Sequence, residues 1–399
     1  MLRKPYMRIP YTDPLAAPTV TPRSANTLSG AVAALQEFFT APTSRGVPAS
    51  TLVLTGAGIS VASGLADYRG TNGTYRVNKT YRPIYYSEFI KNHEARKRYW
   101  ARSFLGWTTL HKAKPNAGHY AVKHLGDLGL VRSVITQNVD SFHPKAHPSL
   151  PTTELHGYLR ATVCVSCQTE LPRDVFQDEL ARLNPAWAAF LQEIIASGAL
   201  DTENPDERKR RGMKTNPDGD VDLPDAPYTT FRYPACPHCL ANPPTLAEGG
   251  KATVEVDSDG ALKPTSNAGI LKPAVIMFGE SVRSQTKIDA EQAVESADRL
   301  LVLGTSLATY SAWRLAKRAK DRGLPIAIVN LGGVRGEETF FADLDPLQKG
   351  AQGARVELST DELLPRLVEG LRQSSDVQHA RESIEHEQHG GLVFKDMMS

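Results

Sequence analysis

The chain has 399 residues, 41% hydrophobic, 23% charged and 7% aromatic, a balance that excludes fibrous, collagenous and wholly disordered classes and leaves room for two or three domains. Lysine and arginine total 46 against 44 acids, and the formal charge of +2 gives no electrostatic support for a protein that coats nucleic acid. No apolar run approaches the roughly 18–20 residues of a membrane-spanning helix, so no membrane partner is expected.

Residues 1–27 read as a disordered leader or targeting segment. Arg3, Lys4, Arg8 and Arg23 against the single acid Asp13 are weakly like a mitochondrial presequence, but Pro5, Pro10, Pro14, Pro18 and Pro22 interrupt any amphipathic helix there. Leu28, Val32, Leu35 and Phe39 then predict such a helix, with a linker over 40–50 behind it. Thr51–Thr55 predicts a buried strand that runs into Gly56-Ala-Gly-Ile-Ser60, the strand-to-glycine-turn start of a nucleotide-binding α/β unit. Apolar runs at 131–136, 300–303 and 326–329 have the same character. Helical patterns lie between them, such as Ala312, Leu315, Ala316 and Ala319 on one face, and this alternation predicts a Rossmann-like parallel sheet wrapped on both sides.

Residues 201–225 hold eight acids, five bases and only three hydrophobic residues, too little apolar surface to offset the entropy of ordering, and predict a disordered insertion. Its run Arg208–Arg211 reads as solvated rather than as a nuclear address. Ser359-Thr-Asp-Glu362 predicts a capping box, followed by a helix with Leu364, Leu367, Val368 and Leu371 on one stripe. Residues 374–399 read as a disordered tail in which His379, His386 and His389 are solvated.

Three motifs bear on chemistry by themselves. Cys164-Val-Ser-Cys167 and Cys236-Pro-His-Cys239 use all four cysteines of the chain, a pattern of a reducing compartment rather than of a disulfide scaffold. Two such turns complete the closed tetrahedron of one structural zinc, with no position left for a catalytic water. Gly56-Ala-Gly58 has Val61 where the dinucleotide fingerprint needs a third glycine, which disfavours an ordinary NAD dehydrogenase. Thr136-Gln-Asn-Val-Asp140 places amides and a carboxylate just past a strand's carboxyl end, the edge where open α/β sheets bind ligands.

Eight elements then occur in one order: Gly56–Ser60, Asp67-Tyr-Arg-Gly70, Thr136–Asp140, Leu155-His-Gly157, the two cysteine pairs, Phe278-Gly-Glu280, Gly304-Thr-Ser-Leu307 and Val329-Asn330. This series resembles the sirtuins, the NAD-dependent protein-lysine deacylases, over roughly residues 28–372. Tyr99-Trp-Ala-Arg102, Pro115-Asn116 with His119, and Leu271–Glu280 look most like the class II branch, whose animal members are mitochondrial.

The resemblance implies a discontinuous Rossmann-like catalytic domain over 28–157 and 265–373, a helical insertion near 76–112 and a zinc module at 158–264. It implies NAD as a co-substrate, acylated lysines of proteins as partners, and deacylated lysine, O-acyl-ADP-ribose and nicotinamide as products. Among matched positions His156 is the general base, with Asn138 and Asp140 beside it. Gly56, Ala57, Ile59, Gln137, Gly304, Thr305, Ser306 and Asn330 hold NAD, and Asp67, Tyr68 and Arg69 belong to a lid over 66–82. Val275 and Ile276 take the peptide as an added strand. Tyr99 and Arg102 read either as a fork for an acyl carboxylate or as a packing aromatic with a solvated base. Ala66 in place of proline, and Ser141–His147 beside the site, depart from the family pattern, and His143 and His147 read as loop histidines. Protein ADP-ribosyl transfer and a non-catalytic NAD-binding zinc module are the alternatives. The branch implies the mitochondrial matrix, with cytoplasm and nucleus left open. Acyl preference, protein substrate and oligomeric state are not legible.

Overall fold

A computed structural model describes residues 13–42, 50–77, 81–197, 214–215, 219–223, 226–345 and 349–373. The basic run at 208–211 and the tail at 374–399 lie outside the described residues. So do residues 1–12 of the leader, most of the 40–50 linker and residues 78–80 of the expected lid.

The expected parallel sheet is present. Its strands are β1 (Thr51–Thr55), β2 (Val131–Thr136), β3 (Thr152–Glu154), β9 (Arg299–Leu303), β10 (Ile326–Val329) and β11 (Gly353–Val356), in the spatial order β11-β10-β9-β1-β2-β3. Every residue of β1, β9, β10 and β11 is buried, as strands covered on both faces must be. One face packs under the helices Leu28–Thr40, Ala117–Asp127 and Thr360–Arg372, where Leu35, Phe38, Val122, Leu125, Leu363 and Leu367 form the core. The other face is covered by Ser284–Ser296 and Tyr310–Asp321, through Val294, Ala312, Leu315 and Ala319.

The chain builds β1, β2 and β3 outward in one direction, returns to place β9 on the other side of β1, and then runs outward again. The switch point therefore lies between β1 and β9, and there an open α/β sheet leaves a crevice beyond its carboxyl ends. Thr55 is level with Thr136 on one side and Leu303 on the other, and Leu303 is level with Val329. Four strands thus end together, and the segments that begin at Gly56, Gln137, Gly304 and Asn330 leave the sheet at one height.

A second sheet has the order β5-β4-β8, from β5 (Glu170–Pro172), β4 (Gly157–Cys164) and β8 (Leu271–Val275). β4 ends on the first cysteine and pairs antiparallel with β8, so the cysteine module leaves and rejoins the large domain at adjacent points. The helices Tyr86–Lys91 and His93–Lys112 of the helical insertion do not stand apart from it. Phe89, Trp100 and Phe104 share one core with Cys164, Phe176, Phe231, Cys236 and Cys239.

Three expectations need correction. Residues 13–27 are not a free leader: Thr21 exchanges backbone hydrogen bonds with Arg355 of the edge strand β11, at 3.0 and 2.6 Å, and Ala25 is fully buried. The insertion at 201–225 is not wholly solvated. Its β6 (Lys214–Thr215) and β7 (Val221–Asp222) pair, and Val221 is 1% exposed within the shared core. Ser359 does precede a helix, Thr360–Arg372, but its hydroxyl donates to the Asp361 carboxylate instead of capping the backbone.

Candidate active site

Past the level strand ends opens a cavity of about 970 Å³, at the upper end of the roughly 300–1,000 Å³ of ligand sites. Its walls include Gly56, Ala57, Asp67, Tyr68, Arg69, Tyr99, Arg102, Gln137, Asn138, Asp140, His156, Val275, Ile276, Gly304, Thr305, Ser306 and Asn330. The structure thus brings together all the candidate NAD, peptide and base positions but one. The Ile59 side chain is buried in the helical core beneath the sheet, and only its backbone takes part in the turn's framework, the N–H donating to the Gly56 carbonyl at 3.2 Å and the carbonyl accepting from Asn116 Nδ2 at 2.7 Å.

The glycines are where backbones must touch. Gly58 N–H donates to the Gly304 carbonyl at 2.8 Å, and Gly304 has φ +57°, the left-handed region that favours glycine. A Cβ on Gly304 would lie 2.3 Å from the Ile59 nitrogen. Because that neighbour is backbone and cannot swing away, Gly304→Ala is expected to raise the KM for NAD at least about tenfold, allowing one to two kcal/mol for the left-handed conformation alone. Steady-state kinetics at saturating acyl peptide would test this, and an unchanged KM would argue against the turn as a nucleotide site.

His156 follows β3 and is partly exposed to the cavity. Its Nδ1 lies 3.1 Å from the Gln137 carbonyl oxygen, a contact that only an N–H can make. The proton therefore sits on Nδ1, and Nε2 accepts from the Ser311 hydroxyl at 2.8 Å. Burial lowers the imidazole to about 4, against a smaller opposing effect of the Gln137 carbonyl. At neutral pH His156 is an uncharged base with its lone pair on a known nitrogen.

The neighbouring polar residues are held in turn. Gln137 Nε2 donates to the Thr305 hydroxyl at 2.8 Å while its Oε1 accepts from Thr309 at 2.9 Å. Asn138 Nδ2 donates to the Gly56 carbonyl and to Ser60 Oγ, both at 3.1 Å, and Ser60 donates to Asp140 Oδ2 at 2.7 Å. Burial pushes the Asp140 carboxyl up, partly offset by the Phe142 N–H and the Ser60 hydroxyl. Asp67 is raised by burial too, against the Gly70 N–H bonded to it at 3.0 Å. On the far wall the fully buried Arg355 donates to the carbonyls of Asn330 and Gly332, at 3.0 and 2.6 Å, and shapes the Asn330 loop.

Arg102 is 5% exposed, not a solvated base, and its Nη2 pairs with Asp220 Oδ2 at 2.7 Å. Burial opposes its charge, but Asp220, with Tyr81, Asp222 and Tyr228, holds the guanidinium above its ordinary range. Tyr99 packs edge-on to Phe89 and Trp100. Both residues nonetheless line the cavity.

Ser60, Ser311, Thr309, Arg355 and Asp220 are bonded neighbours of the candidate residues that no motif announces. Ser60 was visible inside the glycine turn, but only as a turn residue. The other four meet the site through tertiary packing, and no sequence spacing links them to His156, Gln137 or Arg102.

His143 and His147 are buried rather than loop histidines. Thr55 Oγ1 donates to Thr136 at 2.9 Å, so it accepts from His143 Nε2 at 3.0 Å, and His143 Nδ1 accepts from His147 Nε2 at 2.8 Å. Burial holds His143 well below its ordinary range and His119 at about 3. Their folded values lie below the unfolded one, so the unfolded chain takes up protons near pH 6.5 that the folded chain refuses. Stability is therefore lost as pH falls from 6.5 toward 4. His119, His143 and His156 contribute up to three protons, and the raised Asp67 and Asp140 subtract from that. Three histidines against two carboxyls leave a net uptake of at least about one proton at pH 5, and each proton corresponds to roughly 1.4 kcal/mol of stability per pH unit. Denaturant midpoints between pH 4.5 and 6.5 measure this slope, and a flat series would contradict the burial of these rings.

The four cysteines come together as their spacing predicted. Their sulfurs all lie within 4.8 Å of one another, with Cys164 and Cys239 at 3.6 Å and Cys167 and Cys236 at 3.7 Å. Tetrahedral zinc with Zn–S bonds of about 2.3 Å requires sulfurs about 3.8 Å apart, so the residues fit the ion.

Comparison with known proteins agrees with this geometry. The Sir2 family model matches residues 56–311. A Batrachochytrium dendrobatidis protein named NAD-dependent protein deacylase SIR4 is 39% identical over 292 residues, which is 72% of this chain and 83% of the relative. The Bos taurus protein named NAD-dependent protein lipoamidase sirtuin-4, mitochondrial, is 33% identical over 294 residues, 74% of this chain and 78% of the relative. A solved Sir2 enzyme superposes with a TM-score of 0.50 at 23% identity, over 87% of this chain and 98% of that one, and supports the fold alone. The chain belongs to the Sir2 family, the sirtuins.

Proposed function

We infer that the chain is an NAD-dependent protein-lysine deacylase. The observation that carries this reading is His156, a neutral base of defined tautomer on the wall of a cavity that a glycine-lined strand-end crevice and the outer strand β8 of the small sheet both reach. NAD, when bound, would supply a ribose carbon to which the acyl oxygen bonds as nicotinamide departs, and one water then adds at the acyl carbon, so that the lysine amine leaves and the acyl group ends on ADP-ribose. The chain's own residues prepare that exchange. Gly56, Ala57, Gly304, Thr305, Ser306 and Asn330 hold the dinucleotide, and Gln137, Asn138 and Asp140 orient its nicotinamide end.

His156 Nε2 takes up a ribose hydroxyl proton once Ser311 yields its place, and the Nδ1–H bond to the Gln137 carbonyl keeps the ring aimed. Asp67, Tyr68 and Arg69 fold over the opening and limit water there. β8 is an edge of the small sheet, and Ile276 N–H donates to the His156 carbonyl at 2.8 Å. A peptide added along Val275 and Ile276 is thereby tied to the segment that carries the base. Cys164, Cys167, Cys236 and Cys239 would hold zinc as a cross-link remote from the reacting atoms.

The likeness to the bovine sirtuin-4, whose name describes it as mitochondrial, supports a mitochondrial location. The reading is tested by nicotinamide release from labelled NAD against acetyl-, long-chain-acyl-, glutaryl- and lipoyl-lysine peptides. Release that depends on an acyl peptide, with the label recovered as O-acyl-ADP-ribose, is expected. Label retained on protein would replace deacylation by ADP-ribosyl transfer, and NAD binding without release would leave a non-catalytic module.

A further inference from the structure

The cavity has a second polar region at Tyr81, Tyr99, Arg102 and Asp220, lined partly by the helix His93–Lys112 and partly by the segment 219–222. That segment is built against the helix. A Cβ on Gly106 would lie 1.7 Å from the Gly219 carbonyl oxygen, and Gly219 itself has φ +72° with Leu110 beside it. Val221 is buried next to it, and the Leu223 N–H is held by the Tyr228 hydroxyl at 2.8 Å.

This packing delivers the Asp220 carboxylate, 8% exposed, onto the guanidinium of Arg102. Asp222 lies behind it, 3.9 Å from Arg102 Nε. Arg102, the arginine beside Tyr99 that could fork an acyl carboxylate, is thus already matched in charge, and a second carboxylate entering there would meet Asp220 at close range. At the same time Arg102 Nε and Asp220 Oδ1 are buried with no hydrogen bond among the described residues. A donor and an acceptor on the two partners of one ion pair, neither bonded among the described residues, fit a group that offers both.

We propose that Asp220 sets the acyl specificity of this site, turning away acyl chains that end in a carboxylate and selecting uncharged chains, best of all those ending in an amide or hydroxyl that meets Arg102 and Asp220 together. This rests on the deacylase reading above, and it makes part of the acidic insertion a specificity element.

The test uses two isosteric substrates, a glutaryl-lysine peptide and the same peptide with the terminal carboxylate replaced by its primary amide. The full-length wild-type chain is expected to favour the amide at least about tenfold in kcat/KM, and Asp220→Asn to shift the amide-to-acid ratio toward the acid by about thirtyfold, the scale of one buried charge-assisted contact. Adding Arg102→Gln to Asp220→Asn should remove that gain, because the acid then has no guanidinium to meet. A ratio near one in the wild type, or an unchanged ratio in Asp220→Asn, overturns the proposal. Calorimetric binding of the two peptides reads the same preference without turnover. A preference for the amide in binding with no turnover of either peptide upholds the specificity role of Asp220 and rejects the deacylase reading, whereas equal binding rejects the role of Asp220.

Discussion

His156→Ala is expected to lower kcat/KM for acyl-peptide-dependent nicotinamide release by about 10²–10⁴-fold, the range that a positioned general base contributes. NAD binding should change far less, because the Gln137 and Asn138 side chains are held by Thr305 and the Gly56 carbonyl, and the imidazole reaches Gln137 only at its main-chain carbonyl. Ser311→Ala is a useful companion. It removes the hydroxyl 2.8 Å from Nε2 while leaving the Nδ1 bond that fixes the tautomer, so its loss should be a small fraction of that of His156→Ala. Comparable losses in the two variants would mean that Ser311, and not His156 alone, handles the proton. Full activity in His156→Ala would reject the base assignment outright.

Cys236→Ser is expected to abolish stoichiometric zinc in the purified protein and to lower Tm by roughly 10 °C or more, each kcal/mol being worth about 2–4 °C in a large domain. Structural zinc contributes on the order of 10 kcal/mol to the folding of small modules. Here the ligands are also core residues, since Cys164, Cys236 and Cys239 pack with Trp100, Phe104, Phe176 and Phe231. Loss of the ion should therefore spread into the helix that carries Tyr99 and Arg102, and deacylation should fall although no cysteine lines the cavity. Metal analysis with thermal melts, repeated after chelation, decides the matter. A wild-type chain that melts identically with and without chelator would rule out a structural role for the ion.

Much of this was legible in the chain because its signals are local. Strands covered on both faces are continuous apolar runs, as at Leu300–Leu303. Helices that cover them show one apolar stripe, as at Ala312 to Ala319, and turns that must admit another backbone are glycine, as at Gly56 and Gly304. Paired Cys-x-x-Cys turns declare their metal by spacing alone. What stayed hidden is long-range. Nothing in the pattern of Phe89 or Trp100 says that their partners are Phe176 and the cysteines. Composition averaged Asp220 and Val221 into a polar stretch, although two glycines and one valine suffice to seat that segment against a helix. Ile59 was carried over by its place in a motif, yet its side chain serves the core. His143 and His147 sit in a proline-punctuated segment that reads as a loop, yet in space they are hydrogen-bonded to Thr55 and to each other.

The docked arm at residues 13–22 has a consequence for solubility. β11 is an outer strand of the large sheet, and an outer strand with open backbone groups invites pairing with a second molecule. Thr21 occupies part of that edge, and Asp13, Pro14 and Leu15 continue onto the cavity wall. A chain shortened to begin at Leu28 would keep every strand and catalytic side chain, yet it would uncover a strand margin and a rim of the nucleotide crevice together, so self-association and weakened NAD binding should appear as one defect.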